Sequence, residues 1–273
     1  MPKINVARLV EIGKPFEVGT ADKPTPGPND VLVKVEACCL VPNSSNIVSG
    51  GTDSDVFTLP QLPTVFGLDA AGVVEAVGER VFNIKAGDRT LGYAAVAIAL
   101  GLGCMRILGI GRNKERLAEL ENLCHKGRVR TICSEDGGID AVTEWVSEQT
   151  DGLDPDALYD CLGNGGDAYT TSRLAGTVTR GGIAVLAAGG AEGELRQTYL
   201  EAMSRDVAIL GTMWFTSAEV DELIALIDAG VIDFSFLRHE FFPLKKVNEA
   251  FEMVGNRPGG AFNVVVQPSK LDD

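Results

Sequence analysis

The sequence predicts an α/β chain in which an antiparallel β segment, either a barrel or a sandwich, precedes a parallel sheet covered by helices. Three observations carry this. Through Arg89 the apolar residues fall in strand-length runs that alternate or run unbroken, divided by prolines and glycines. From Leu91 onward, such runs alternate with longer amphipathic stretches, as in a parallel sheet buried on both faces. The 32 glycines among 273 residues are spread along the chain, as frequent tight turns require.

Strands are expected over residues 5–10, 31–37 and 70–77, the last ending at Gly78, with 24–28 as a proline-marked connection. The later alternation gives helix 93–100, strand 106–111, helix 114–123, strand 129–133 and helix 139–150. Strand 157–161, a helix from about Asp167, strands 183–187 and 207–211, and helix 218–229 continue it. An amphipathic helix over 244–254 and a strand over 261–267 close the chain. The run from Leu91 to Ile110 holds one charge, Arg106, and its length suits a membrane-spanning helix. Gly101 and Gly103 interrupt it, so a helix, a glycine stop and a buried strand are expected, and no membrane.

Composition narrows the function classes. Forty-five per cent apolar and 23% charged residues place the chain among globular proteins. A chain of this length buries roughly 75% of its unfolded surface without needing staples. The formal charge of −14 divides into −3 through Arg89 and −11 beyond, which argues against nucleic acid and anionic membranes as partners. Within the acidic part, Arg106, Arg112, Lys114 and Arg116 form a local basic cluster suited to an anionic ligand. Six cysteines without regular spacing, and an N-terminal stretch unlike a signal peptide, make a cytoplasmic location the expectation.

Neither G-x-G-x-x-G nor a P-loop is present. Three strand ends are rich in glycine: Gly109–Asn113 (GIGRN), 161–166 (CLGNGG) and 188–190 (AGG). In an open parallel sheet ligands bind beyond the carboxyl ends of the strands, and ordinary βα turns share this composition; both readings stand. At the end of a second dinucleotide-fold strand an arginine accommodates a 2′-phosphate where an acid would hold a 2′-hydroxyl. Arg112-Asn113-Lys114 offers two cations and an amide there, or else a solvated helix start. The pairs Asp154/Asp156 and Glu192/Glu194 read as solvated surface, and Ser44-Ser45 lacks the setting of a nucleophile elbow. His239 reads as part of an edge strand, and Trp214 as a core or subunit contact.

With these residues in place, the chain resembles the medium-chain dehydrogenase/reductase superfamily, which includes zinc alcohol dehydrogenases and quinone reductases. PGPNDVLVKVEACCLVPNSSNIVSG (26–50) and LPTVFGLDAAGVVEAVGERVFNIKAGDR (62–89) match its β-domain. RILGIGRNKERL, DALYDCLGNGG, GGIAVLAAGG, AILGTMW and FPLKKVNEAFEMV followed by GGAFNVVV fall in the family's order and cover most of the rest. The resemblance implies a GroES-like β-domain over 1–89, a Rossmann-type domain over 90–235, and a return to the β-domain over 236–273. It also implies hydride transfer with a nicotinamide cofactor between the domains.

Three departures from the family pattern shape the expectations. Val41 and Leu68 stand at two catalytic zinc-ligand positions, and neither residue type can hold zinc. The structural zinc lobe, with its cluster of cysteines, is missing. Finally, Arg89 runs directly into Thr90, where the family carries the rest of the barrel, the first Rossmann strand and most of the glycine-rich turn. Both domains are therefore expected to be incomplete, the Rossmann-type sheet lacking its first strand. Loss of that central strand leaves its two neighbours unpaired, or else they close on one another.

The expected cofactor is NADP(H) in preference to NAD(H), with no zinc. Cofactor-binding residues are expected to be Gly92, Gly111, Arg112, Asn113, Lys114, Leu162, Gly163, Gly189 and Gly190. Asn43 takes the proton-relay position, where an amide is a poor proton shuttle. The expected activity is reduction of a small-molecule carbonyl, enone or quinone, at an impaired rate. The alternative is a non-catalytic truncated or splice-derived remnant that dimerises or only binds nucleotide. A homodimer is expected through the sheet edge from Val207 to Trp214.

Overall fold

Residues 2–50, 61–67, 69–80, 95–123, 127–162, 166–187, 193–212, 215–256 and 262–270 are described by the computed structural model. They fall into two units, Met1–Ala94 with Phe234–Asp273, and Ala95–Asp233.

In the first unit, β1 (Lys3–Leu9) lies between β2 (Glu17–Asp22) and β4 (Thr64–Val65), antiparallel to both. A second sheet runs in the order β11 (Arg238–Pro243), β12 (Phe262–Gln267), β3 (Val31–Leu40), β5 (Asp69–Val77). Among the described residues of this unit only β11–β12 is a parallel pair, so the first segment is largely antiparallel, as its alternation implies. Gly72 permits the close approach of β3 and β5, since a Cβ there would lie 2.1 Å from the Lys34 carbonyl oxygen. Leu9, Phe16, Leu40, Val264 and Val266 form one core with Val247, Ala250, Phe251 and Val254 of α8 (Val247–Gly255). Asn248 of that helix accepts from the Phe16 N–H at 2.7 Å and donates to its carbonyl at 3.1 Å. His239 lies in β11, which pairs with β12 alone among the described residues.

The second unit repeats strand and helix. It comprises α2 (Ala95–Gly101), β6 (Ile107–Gly111), α3 (Lys114–Leu123), β7 (Val129–Cys133), α4 (Gly138–Gln149), β8 (Ala157–Asp160) and α5 (Ala168–Ala175). It continues through β9 (Ile183–Leu186), α6 (Tyr199–Arg205), β10 (Ala208–Gly211) and α7 (Ser217–Asp228). The apolar run before Ile110 is therefore a seven-residue helix, a turn with Gly103 at φ +96°, and a strand. Among the described residues no helix is long and apolar enough to cross a membrane.

All the strands of this unit pair in parallel, in two half-sheets: β6 with β7, and β8–β9–β10. Among the described residues strands β6 and β8 do not pair with each other, so the closing of one on the other, one of the two expected outcomes, is not seen there. One apolar cluster nevertheless joins the halves on one face. Val142 and Val146 of α4 and Leu174 of α5 pack with Leu108 and Ile110 of β6, Ile132 of β7 and Leu158 of β8. Among the described residues, helix packing thus joins two half-sheets that share no hydrogen-bond ladder.

Candidate functional site

The sequence-nominated residues Gly111, Arg112, Asn113 and Lys114 occupy the turn from β6 into α3. Arg112, Asn113 and Lys114 are exposed at the carboxyl end of the strand. The Asn113 side-chain oxygen accepts from the Arg116 N–H at 3.1 Å, capping α3. This presents the first turn of the ten-residue α3, whose positive dipole end attracts anions. The two strand glycines have a packing reason. A Cβ on Gly109 would meet Thr131 at 3.1 Å and Leu120 at 3.3 Å, and one on Gly111 would meet Leu117 at 3.3 Å.

The neighbouring strand end locks onto this turn. Ser134 donates its N–H to the Gly111 carbonyl at 2.8 Å, and the Cys133 thiol donates to the Arg112 carbonyl at 3.4 Å. Gly137 and Gly138 follow with positive φ, and Lys114 Nζ meets Asp136 Oδ1 at 2.7 Å. The hydrogen bond and charge of Asp136 hold the Lys114 ammonium above its ordinary pKa. Sequence reasoning missed this pair, which lies across two strands.

At the end of β8, Asp160 accepts from the Leu162 N–H at 2.7 Å and from the Thr171 hydroxyl at 2.5 Å. Residues 160–162 are thus held by a carboxylate that was not among the expected site residues. Asp167 caps α5 through the Thr170 N–H at 2.8 Å, and these bonds hold its carboxyl below the usual range. Gly92, Gly163, Gly189 and Gly190 lie outside the described residues.

In the first unit, Asn43 stands in α1 (Pro42–Ser49), directly after β3, and its side chain lies outside the described residues. The run from β3 into α1 gives Ser44 a strand-to-helix setting that the sequence reading had denied it. The Ser44 hydroxyl is buried without a hydrogen-bond partner among the described residues, and no base is paired with it among them. Val41 precedes that helix, and Leu68 lies outside the described residues. Among the described residues no group of three or more His, Cys, Asp or Glu is placed to hold a metal. Asp154 is committed to Arg205 at 3.0 Å, a structural pairing.

Two family models match the chain: the alcohol dehydrogenase GroES-like domain over residues 27–142, and the zinc-binding dehydrogenase over residues 90–229. The second alone spans half of the sequence. The chain belongs to the medium-chain dehydrogenase/reductase superfamily.

Within the superfamily, the quinone oxidoreductase of Lama guanicoe is 26% identical over 315 positions, covering 89% of this chain and 90% of that relative. That alignment is longer than this chain's 273 residues, so the relative carries stretches with no counterpart here. The dehydrogenase orsE of Emericella nidulans is 40% identical over 88 residues, 32% of this chain and only 24% of the relative. A quinone oxidoreductase from Pseudomonas syringae pv. Tomato DC3000 shares the fold with a TM-score of 0.71 at 19% identity, covering 97% and 100% of the two chains. A zinc-binding dehydrogenase from Sinorhizobium meliloti 1021, solved bound to NADP, gives 0.68 at 17% identity, covering 98% and 100%.

Proposed function

We propose that this chain binds NADP(H) at the carboxyl end of β6 and descends from zinc-independent reductases of carbonyls, enones or quinones. The observation that carries the reading is the exposed Arg112-Asn113-Lys114 turn over the capped start of α3. These residues suit a phosphorylated ribose. The guanidinium of Arg112 provides a planar fork for phosphate oxygens, and no acid precedes Glu115 in that turn. The bound cofactor supplies hydride; the chain's own residues bind and orient it. Leu162, positioned by Asp160, stands at the carboxyl end of β8, another parallel strand of this unit.

Zinc independence rests on Val41 and Leu68, whose side chains offer no donor atom. Elemental analysis of dialysed protein should find well under one zinc per chain. A homodimer through β10 rests on the exposure of Ile209 and Leu210 along a strand that pairs with β9 alone among the described residues. A cytoplasmic location rests on exposed free thiols at Cys104 and Cys161, which persist in reducing compartments.

A second reading, a remnant that binds nucleotide or dimerises without turnover, is favoured by one feature of the sheet. Among the described residues strands β6 and β8 have no pairing partner between them, next to where the cofactor pyrophosphate would sit in a dinucleotide fold. Titrating NADPH against intrinsic fluorescence and then assaying a quinone and aldehyde panel separates the two. Binding with turnover supports the reductase, and binding without turnover supports the nucleotide-binding remnant.

A further inference from the structure

We propose that Asp136 is a specificity-determining residue: its carboxylate occupies Lys114 and opposes a phosphate at the end of β6, narrowing any preference for a 2′-phosphorylated nucleotide. The inference rests on the reading that Arg112 and Lys114 face the cofactor ribose. Asp136 is brought there by the fold. Parallel pairing of β6 with β7 aligns Gly111 with Cys133, and the Ser134 N–H then binds the Gly111 carbonyl. The Asp136 N–H donates to the Cys133 carbonyl at 3.1 Å, and the Gly137 N–H to the Glu135 carbonyl at 3.1 Å. This tight turn sets the carboxylate 2.7 Å from Lys114 Nζ. Glu135 is exposed beside it, and its charge also acts on the Lys114 ammonium.

A 2′-phosphate brings about 1.5–2 negative charges near neutral pH. To use Lys114 it must displace Asp136 or share the ammonium with it. Sharing sets the carboxylate and the phosphate about 4–5 Å apart, each at ordinary ion-pair distance from one ammonium. A 2′-hydroxyl meets no such repulsion, and Asp136 is able to accept its proton in a hydrogen bond. Removing the charge of Asp136 should therefore favour the phosphorylated nucleotide selectively. A purely structural role would instead weaken binding.

The test is calorimetric titration of the full chain with 2′,5′-ADP and with 5′-AMP, using wild type, Asp136→Asn and Asp136→Ser. The wild type is expected to prefer 2′,5′-ADP. Both variants should bind it about three- to tenfold more tightly, with 5′-AMP changed less than twofold and the gain shrinking as salt rises. Preference in the wild type with no gain, or a loss, in both variants would overturn the role of Asp136 and leave the ribose reading standing. No preference, or no binding, in any of the three proteins would overturn the ribose reading and this inference with it. Equal unfolding midpoints for the three would exclude misfolding as the cause.

Discussion

Asp160 and Thr171 are joined by a hydrogen bond of 2.5 Å, the threonine hydroxyl donating to the carboxylate. Thr171 is 2% exposed, so its hydroxyl is shielded from water, and the bond ties the end of β8 to the middle of α5. The other carboxylate oxygen takes the Leu162 N–H, and the Asp160 carbonyl takes the Ala187 N–H from the strand end of β9. One residue thus fixes the geometry of two adjacent strand ends. Thr171→Val keeps the shape and removes the donor, leaving a carboxylate short of a partner. It should cost about 1.5–3 kcal/mol in denaturant unfolding, with Thr171→Ser largely restoring stability. Equal stability of wild type and Thr171→Val would show that the bond carries no weight.

The Asp167 cap should give stability a distinct acid limb. Its folded-state pKa lies below the ordinary value because the carboxylate accepts from Thr170. A group with a depressed folded pKa contributes fully above its unfolded value of about 3.9, and the contribution disappears as pH falls through the folded value. Asp167→Ala should therefore cost about 1 kcal/mol near neutrality. The difference should vanish in the most acidic conditions that leave the chain folded. A pH-independent difference would assign the effect to helix propensity instead.

Thiol reactivity should follow burial. Cys38 is pushed up to about 11, by burial first and then by the charges of Cys39 and Asp69. At pH 8 only about one molecule in a thousand carries that thiolate, which is the reactive form. Cys104 is exposed, Cys133 buried. Iodoacetamide labelling read by peptide mass spectrometry should modify Cys104 well before Cys38 or Cys133. Equal labelling of Cys38 would mean that β3 is open to solvent in solution.

What the sequence disclosed, and what it hid, follows from the range of the interactions. Helix α3 and strand β7 have their expected bounds because local period and turn residues decide them. Helix α6 was missed because it buries none of its residues, although Thr198 and Glu201 form a capping box that would have located its start. Helix α1 was missed because Pro42 and the serine- and asparagine-rich run read as a loop, though proline suits a first helical position. Strand β2 is polar and largely exposed, so its sequence carries little alternation. The contacts that shape the site are longer in range. Asp160 finds Thr171 across a turn, and Lys114 finds Asp136 only once β6 and β7 align. Of the nominated residues, Gly111–Lys114 lie together because they are contiguous in the turn from β6 into α3.

The edge of β10 should carry the dimer. Ile209 and Leu210 are 38% and 50% exposed, and Tyr199, Leu200 and Met203 of α6 add further exposed apolar surface in the same unit. Sedimentation at micromolar concentration should give twice the 28.9 kDa chain mass. Leu210→Lys sets a charge on the edge and should shift the protein to monomer without unfolding it. A wild-type monomer at that concentration would remove the edge-pairing proposal.

The last prediction concerns turnover, which should be at least a hundredfold below that of an intact relative such as the Lama guanicoe quinone oxidoreductase. Hydride transfer depends on holding the nicotinamide against its acceptor, and positioning accounts for much of the rate enhancement. In a complete dinucleotide fold the pyrophosphate is anchored by backbone N–H groups at the end of the first strand and the start of the following helix. Among the described residues β6 and β8 do not pair with each other, and the Leu162 N–H is already taken by Asp160. Losing two backbone hydrogen bonds to a charged group, at about 1.5–3 kcal/mol each, weakens binding by at least a hundredfold. The proposed ribose contacts at the end of β6 do not depend on that anchor, so affinity that remains should depend on Arg112. Arg112→Asp should abolish the preference for NADPH over NADH while leaving the fold intact. Low-micromolar NADPH binding with steady quinone turnover by homogeneous protein would show that the interrupted sheet still orients the cofactor. That result would sink the prediction.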